Sequence, residues 1–310
     1  MTGIVTQSTG AQYSIESDNK VYNCTIRGKL RLKGFKSTNP IAVGDIVDFF
    51  TISENEGVIT KIHERRNCIV RKASNLSKKS HVVAANIDKA IFIHTLKNPV
   101  TTTVFMDRYL VAAESYNIPV VIVFNKIDIY KPEEIEEVAE LMAVYHDIGY
   151  KVIGTSIVTG QNLDSLKQEL EDSICVLGGH SGVGKSSLLN AIVPGLNLKT
   201  AEISEAHLSG KHTTTFAKMI KLKENSYIID TPGIRGFGIV DLKKEEIYHY
   251  FKEIFEISHN CKYHNCQHIN EPGCAVKKAV EEGEIYFSRY KSYLNIYFDD
   301  EDEKHRQKEV

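Results

Sequence analysis

Long apolar runs are missing from this chain: no stretch of its 310 residues approaches the roughly 18–20 consecutive apolar positions of a membrane-spanning helix. The opening residues, MTGIVTQSTG, carry neither a basic start nor an apolar core. No secretory leader is therefore expected, and the chain reads as cytoplasmic and without membrane contact. Neither sign of charge is in excess. With 38 Lys and Arg against 40 Asp and Glu, the formal charge of −2 leaves any attraction to nucleic acid to a local patch. Cysteine is sparse, 6 residues in all, which excludes a disulfide-stapled scaffold at this length. Three of them, Cys261, Cys266 and Cys274, crowd into one short segment, and in a reducing compartment that points to metal ligands. Internal repeats are absent. The one biased segment is the tail DDEDEKHRQKEV, for which a frayed or disordered state is expected.

The length exceeds an average domain of about 150 residues, so two or three domains are expected. Up to about residue 70, short alternating segments (QYSIES, VYNCTIRGKLRLK, DIVDFFTI, GVITKIHE) are broken by turn residues, which predicts a small β-barrel. The connector RKASNLSKKS leads into a different pattern. Continuous apolar runs (KAIFIHTL, PVVIVFNK, YKVIGTS, SICVLGG, SYIIDTPG) alternate with helical stretches such as MDRYLVAAESYN and KPEEIEEVAELMAVYHDIG, as in a parallel α/β sheet. Beyond about Val240, EEIYHYFKEIFEI predicts an amphipathic helix with Ile247, Phe251, Ile254 and Phe255 on one face.

Gly179, His180, Ser181, Gly182, Val183, Gly184, Lys185 and Ser186 form G-x-x-x-x-G-K-S between an apolar strand, ICVLG, and a helix opened by Ser187. Glycines let successive backbone N–H groups face one anion at a helix N-terminus. Lys185 is placed to reach the β- and γ-phosphates and Ser186 to ligate Mg²⁺. In YIIDTPG, Asp230 and Gly233 have D-x-x-G spacing at a strand end, suited to holding Mg²⁺ and sensing the γ-phosphate. Between these motifs lies SGKHTTTFAKMI, where Thr214, with Thr213 as the alternative, is expected to complete the Mg²⁺ shell.

Asn125, Lys126 and Asp128 form N-K-x-D at the end of the run PVVIVF. A carboxylate accepts from both N1–H and the 2-amino group of guanine, whereas adenine offers neither donor. An unpaired buried acceptor costs about 1–3 kcal/mol, so Asp128 selects GTP over ATP and argues against an ATPase or nucleoside kinase. Ser156, in GTSIVTGQNL, lies where GTPases carry a Ser-Ala pair that touches guanine O6 through the backbone; Ile157 replaces the Ala. The order is base reader, O6 loop, phosphate cradle, first switch, second switch. All five pieces are present, so this is a circularly permuted GTPase domain. The order also leaves the chain beyond Gly233 free to enter a further domain, so loss of the γ-phosphate is expected to be felt there, while the strands carrying Asn125 stay tethered to the barrel.

In CKYHNCQHINEPGC, three thiols and an imidazole suit a closed tetrahedral Zn²⁺ site, structural rather than catalytic; His264 and His268 both fall within the cluster. In CTIRGKLRLKG, Arg27, Lys29, Arg31 and Lys33 alternate with apolar residues and Gly. A strand there turns four cations to one face, either for a phosphate backbone or as an edge charged against aggregation.

With IRGKLR, VGDIVDF, ERRNCIVRKA, FNKID, GHSGVGKSSLLNAI, GKHTTT, IDTPGIRGFGI and YFSRYKSYL, the chain resembles the bacterial ribosome small subunit-dependent GTPase A family over nearly its whole length. The resemblance implies an OB-fold over residues 1–70, a permuted α/β P-loop GTPase domain over 71–238 and a helical zinc-binding domain over 239–310. It selects Cys261, Cys266, His268 and Cys274 as ligands to one structural Zn²⁺ per chain, leaving His264 in solvent, and it implies Mg²⁺ with GTP. The partners implied are the small ribosomal subunit and its rRNA, engaged by a monomer during late subunit maturation, with GTP hydrolysis stimulated there. Ras-like GTPases place a Gln after D-x-x-G; Ile234 stands here, so slow intrinsic turnover is expected. His212 becomes the candidate for orienting the water beside Lys185 and Thr214, unless it is a solvated loop residue. The alternative function is a nucleotide-gated rRNA-binding scaffold with negligible hydrolysis.

Overall fold

The structure is a computed structural model that describes residues 1–26, 40–72, 80–198, 217–230 and 242–306. Alternating apolar and polar residues build a closed barrel at the start of the chain. Strands β1 (Thr2–Ser8), β2 (Tyr13–Ser17), β3 (Lys20–Ile26), β4 (Ile46–Thr51) and β5 (Glu56–Ile62) lie in the order β1-β2-β3-β5-β4, and β4 returns to β1. Among the described residues of the barrel, only β3 and β5 pair in parallel. Val5, Ile15, Cys24, Val47, Phe49 and Ile59 fill the interior, giving the OB-type barrel expected. β1 escapes the sequence reading because its apolar residues Ile4 and Val5 are adjacent rather than alternating. Arg27, Lys29, Arg31 and Lys33 lie outside the described residues.

The flanks of the expected connector are themselves strands, β6 (Cys68–Lys72) and β7 (Ser80–Ala85), paired antiparallel. Beyond them β8 (Lys89–His94), β9 (Val120–Asn125), β10 (Lys151–Thr155) and β11 (Ile174–Gly178) form a parallel sheet, extended by β12 (Lys218–Lys223) and β13 (Ser226–Asp230) in the order β10-β9-β8-β11-β13-β12. The runs of β8, β9 and β11 are apolar because both faces are covered, whereas β12, KMIKLK, alternates with its lysines outward. Ile91, Ile93, Val121 and Val123 pack on one side against Leu166 of α3 (Leu163–Leu170) and Leu188 of α4 (Lys185–Ile192). Phe92, Ile122 and Phe124 pack on the other against Tyr109 of α1 (Thr103–Ser115) and Tyr145 of α2 (Pro132–Asp147).

The barrel joins this sheet at β12, where Gln7 pairs with Lys218, and eleven strands become continuous. The tether expected between the barrel and the strands around Asn125 therefore holds along the chain only. In space β9 and β10 sit at the opposite end of the sheet, and it is the outer edge of β12 that receives β1.

The C-terminal lobe is helical, with a 3₁₀ turn (Lys244–Tyr250), α5 (Lys252–Ser258), α6 (Ala275–Glu281) and α7 (Phe287–Arg306). The single amphipathic helix expected here breaks at Phe251 (φ −103°, ψ 99°). The break turns Phe251 inward, edge-on to Tyr293 at 5.8 Å and under the Arg289 guanidinium at 4.6 Å, while Phe255 stays 39% exposed. α7 runs on to Arg306, so residues 299–306 are helical rather than frayed; a helix already nucleated at Phe287 propagates at little expense. Residues 307–310 lie outside the described ones.

The lobe is fastened to the sheet by a buried ionic cluster. Arg289 of α7 donates to Asp107 of α1 at 2.5 Å and to both carboxylate oxygens of Glu253 at 2.6 and 3.2 Å, and the Tyr145 hydroxyl donates to Asp107 at 2.8 Å. Removing the cation alone strands the buried Asp107 and the partly buried Glu253. Arg289→Met is expected to lower unfolding free energy by about 3–5 kcal/mol, measured by urea denaturation; an unchanged midpoint would rule out this fastening role.

Candidate functional site

The carboxyl ends of β8, β9, β10, β11 and β13 meet at one edge, which brings the separated motifs together. After β11 the chain turns through Gly179 (φ 118°), where an added Cβ would lie 2.4 Å from the Ile93 carbonyl oxygen, so only glycine fits beneath β8. It enters α4 through Gly184 (φ 99°), where a Cβ would lie 2.5 Å from Asn125 Nδ2. Lys185 is 5% exposed, and its ammonium donates to the carbonyls of Gly179 (2.9 Å) and His180 (2.6 Å), curling back over the loop. Ser186 is buried at the first turn of α4. The His180 ring stacks on Phe105 at 3.9 Å, and burial followed by the Lys185 charge holds its imidazole below the ordinary value.

The base reader is bonded to this loop. Asn125 Nδ2 donates to the Val183 carbonyl at 2.8 Å and its Oδ1 accepts from Thr155 at 3.0 Å. Lys126, in the left-handed region at φ 63°, donates to the carbonyls of Gly182 (2.8 Å) and Asn98. The Ser156 hydroxyl accepts from the backbone N–H groups of Val158 and Thr159 at 3.2 Å, so its own proton goes to Asp128 Oδ1, 2.5 Å away. The carboxylate is thus oriented from behind. Ile157, next in the chain to Ser156, is exposed.

Sequence reasoning missed Thr155, Asn98, Phe105 and Tyr130. The Tyr130 hydroxyl accepts from Leu96 N–H at 2.9 Å and donates to the Asn125 carbonyl at 3.0 Å, closing the loop after β8 onto β9. Asp230 ends β13, next to β11 and its loop. His212, Thr213, Thr214 and Gly233 lie outside the described residues.

The second site lies in the C-terminal lobe. One ligand atom from each of Cys261, Cys266, His268 and Cys274 falls within 4.8 Å of the others. Cys261 Sγ is 3.9 Å from Cys274 Sγ and 3.6 Å from His268 Nδ1, and Cys274 Sγ is 3.5 Å from the same nitrogen. With Zn–S near 2.3 Å and Zn–N near 2.0–2.1 Å, a tetrahedron requires edges of about 3.8 Å between sulfurs and about 3.6 Å from sulfur to nitrogen, so the donors fit zinc. Burial holds the His268 imidazole near pKa 4, neutral and able to ligate. The loop is tied by Glu271, whose carboxylate accepts from the N–H groups of Gln267, Ile269 and Asn270. Tyr290 and Tyr293 of α7 donate to the His268 and Gln267 carbonyls, both at 2.6 Å. His264 is exposed and outside the cluster.

The family described as RsgA GTPase matches residues 62–240, and the RsgA N-terminal domain matches residues 2–59. The small ribosomal subunit biogenesis GTPase RsgA of Christiangramia forsetii is 53% identical over 306 residues, spanning 97% of each chain. The protein of the same name from Bacteroides fragilis is 50% identical, spanning 99% of each. Among solved structures, YjeQ from Thermotoga maritima superposes with a TM-score of 0.80 at 36% identity, covering 96% of this chain and 97% of its own. YloQ, a circularly permuted GTPase, superposes at 0.76 with 28% identity, covering 97% and 95%.

Proposed function

The chain belongs to the RsgA family of GTPases, and from that premise we propose that it hydrolyses GTP in small ribosomal subunit biogenesis, binding the subunit with GTP and turning over faster there. The observation that carries this reading is the direct bonding of Asn125 and Lys126 to Val183 and Gly182, which makes one nucleotide site of two motifs in inverted order. Asp128 receives guanine, with Ser156 holding both the carboxylate and the O6 loop. The backbone from Gly179 to Ser187 cradles the phosphates, and Lys185 leaves its loop carbonyls for the β- and γ-phosphates. Ser186, Asp230 and Thr214, with Thr213 the alternative, hold Mg²⁺, which when bound neutralises charge on the β- and γ-phosphates. Gly233 senses the γ-phosphate.

His212 orients the attacking water in this scheme. His212→Ala is expected to keep GTP affinity and to lose about a hundredfold or more of the subunit-stimulated rate. Full stimulated turnover in that variant would remove His212 from the reaction.

The proposal divides the chain into a barrel (1–70), the GTPase unit (71–238) and a zinc-held lobe (239–310), acting as a cytoplasmic monomer late in subunit maturation. Arg27, Lys29, Arg31 and Lys33 contact rRNA phosphates, and Cys261, Cys266, His268 and Cys274 hold one structural zinc. Co-sedimentation with small subunits tests the association: binding is expected to be tighter with a non-hydrolysable GTP analogue than with GDP. Equal binding would sever the nucleotide from the subunit.

A further inference from the structure

Among the described residues, barrel and nucleotide sheet pair along one rung. Gln7 of β1 pairs with Lys218 of β12, and Lys218 pairs with Asp230 of β13, so a barrel residue and the proposed Mg²⁺ ligand lie two strands apart on the same ladder. The hairpin of β12 and β13 is also the stretch of chain that runs between the two proposed switch segments.

One side chain fixes that hairpin from the barrel. Lys221 of β12 forms an ion pair with Glu16 of β2, donates to Asn19 Oδ1 at 3.0 Å in the turn before β3, and lies 5.9 Å over the Tyr227 ring of β13. Glu16 is 12% exposed at its side chain and sits on a barrel strand bonded to both β1 and β3, so its carboxylate is held in place by the barrel. Other joins between the two units, among them the Ala85 N–H on the Val43 carbonyl and Asn86 on the Gly44 carbonyl, lie at the end of β7 and before β4 and touch neither β12 nor β13.

We propose that Glu16 is a positioning residue for GTP hydrolysis: through Lys221 and the Gln7–Lys218–Asp230 rung, the barrel sets the register of the switch hairpin, so a ligand that displaces the barrel displaces Asp230. The inference rests on the function proposed above. Coupling of this kind runs through hydrogen-bonded, packed elements, and a charge swap isolates it from mere damage.

The test compares Glu16→Lys, Lys221→Glu and the double exchange in the full-length protein. GTP-analogue affinity, basal turnover, turnover with saturating small subunits and hydrogen exchange of the Met219–Tyr227 amides are measured for each. The single variants are expected to bind the analogue and turn over alone within about twofold of the parent, to lose about three- to tenfold in stimulated kcat, and to exchange faster in the hairpin. The double exchange is expected to recover most of each loss. Single variants with parental stimulation and exchange, or losses that the double exchange does not recover, would overturn the proposal. A parent protein that subunits do not stimulate would instead overturn the functional reading, and the exchange comparison would still decide whether Glu16 sets the hairpin.

Discussion

Replacing Asp128 by Asn is expected to lower GTP affinity on the order of a hundredfold and to move preference to xanthosine triphosphate. In the proposed site the carboxylate accepts two N–H donors from guanine, at C2 and N1. An Asn in its place turns an N–H₂ toward the guanine 2-amino group, so two donors face each other and a buried pairing is lost. Xanthine carries a carbonyl at C2, which accepts from that N–H₂ while its N1–H donates to the amide oxygen. The change is confined to the base because Ser156 still holds the Oδ1 position from behind through the proton it cannot give elsewhere. Titration calorimetry with the two nucleotides checks it. Unchanged preference for GTP would remove Asp128 from base recognition.

Cys266→Ser is expected to abolish zinc content, from one ion per chain to none by metal analysis, and to melt the C-terminal lobe. In small zinc-folded units the metal supplies on the order of 10 kcal/mol of folding free energy. This lobe has an apolar core of its own around Phe251, Ile254 and Tyr293, which offsets part of the loss. The loop from Cys261 to Cys274 is held by a few contacts, from Glu271, Tyr248, Tyr290 and Tyr293, so it carries most of the damage. A fall of about 10 °C or more in the lobe's melting temperature is expected. Cys266 is the informative choice because its side chain is buried, where a thiolate is costly unless a dication lies beside it. A metal-free parent protein, or a variant that melts like the parent, would contradict a structural zinc.

How much of this was legible in the sequence follows from how far apart the interacting residues stand. The phosphate loop, N-K-x-D and the Cys-His segment were readable because their chemistry restricts residue type within a few positions, and the apolar runs of β8 to β11 because burial on both faces leaves no polar alternation. Thr155, Tyr130 and Phe105 were not, since a Thr, a Tyr and a Phe are ordinary core residues until folding sets them against Asn125 and His180. Arg289 lay inside a recognised segment, yet its buried role needed Asp107, 182 positions away, and Glu253. The helix expected through Phe251 failed because periodicity records which residues are apolar and not that one of them must leave the helix to meet Tyr293 and Arg289. The docking of the barrel on β12 was misjudged for a related reason: chain order shows what is tethered, while edge pairing decides what touches.

The central claim is that the inverted motifs form a GTPase answering to the small ribosomal subunit. The most direct test is the rate of GTP hydrolysis as purified small subunits are added, at two salt concentrations. The account predicts slow turnover alone, a saturable rise with subunits, and a rise that needs more subunits at the higher salt because basic contacts to rRNA weaken as counterions compete. A rate that does not change at saturating subunits, at either salt, would contradict it.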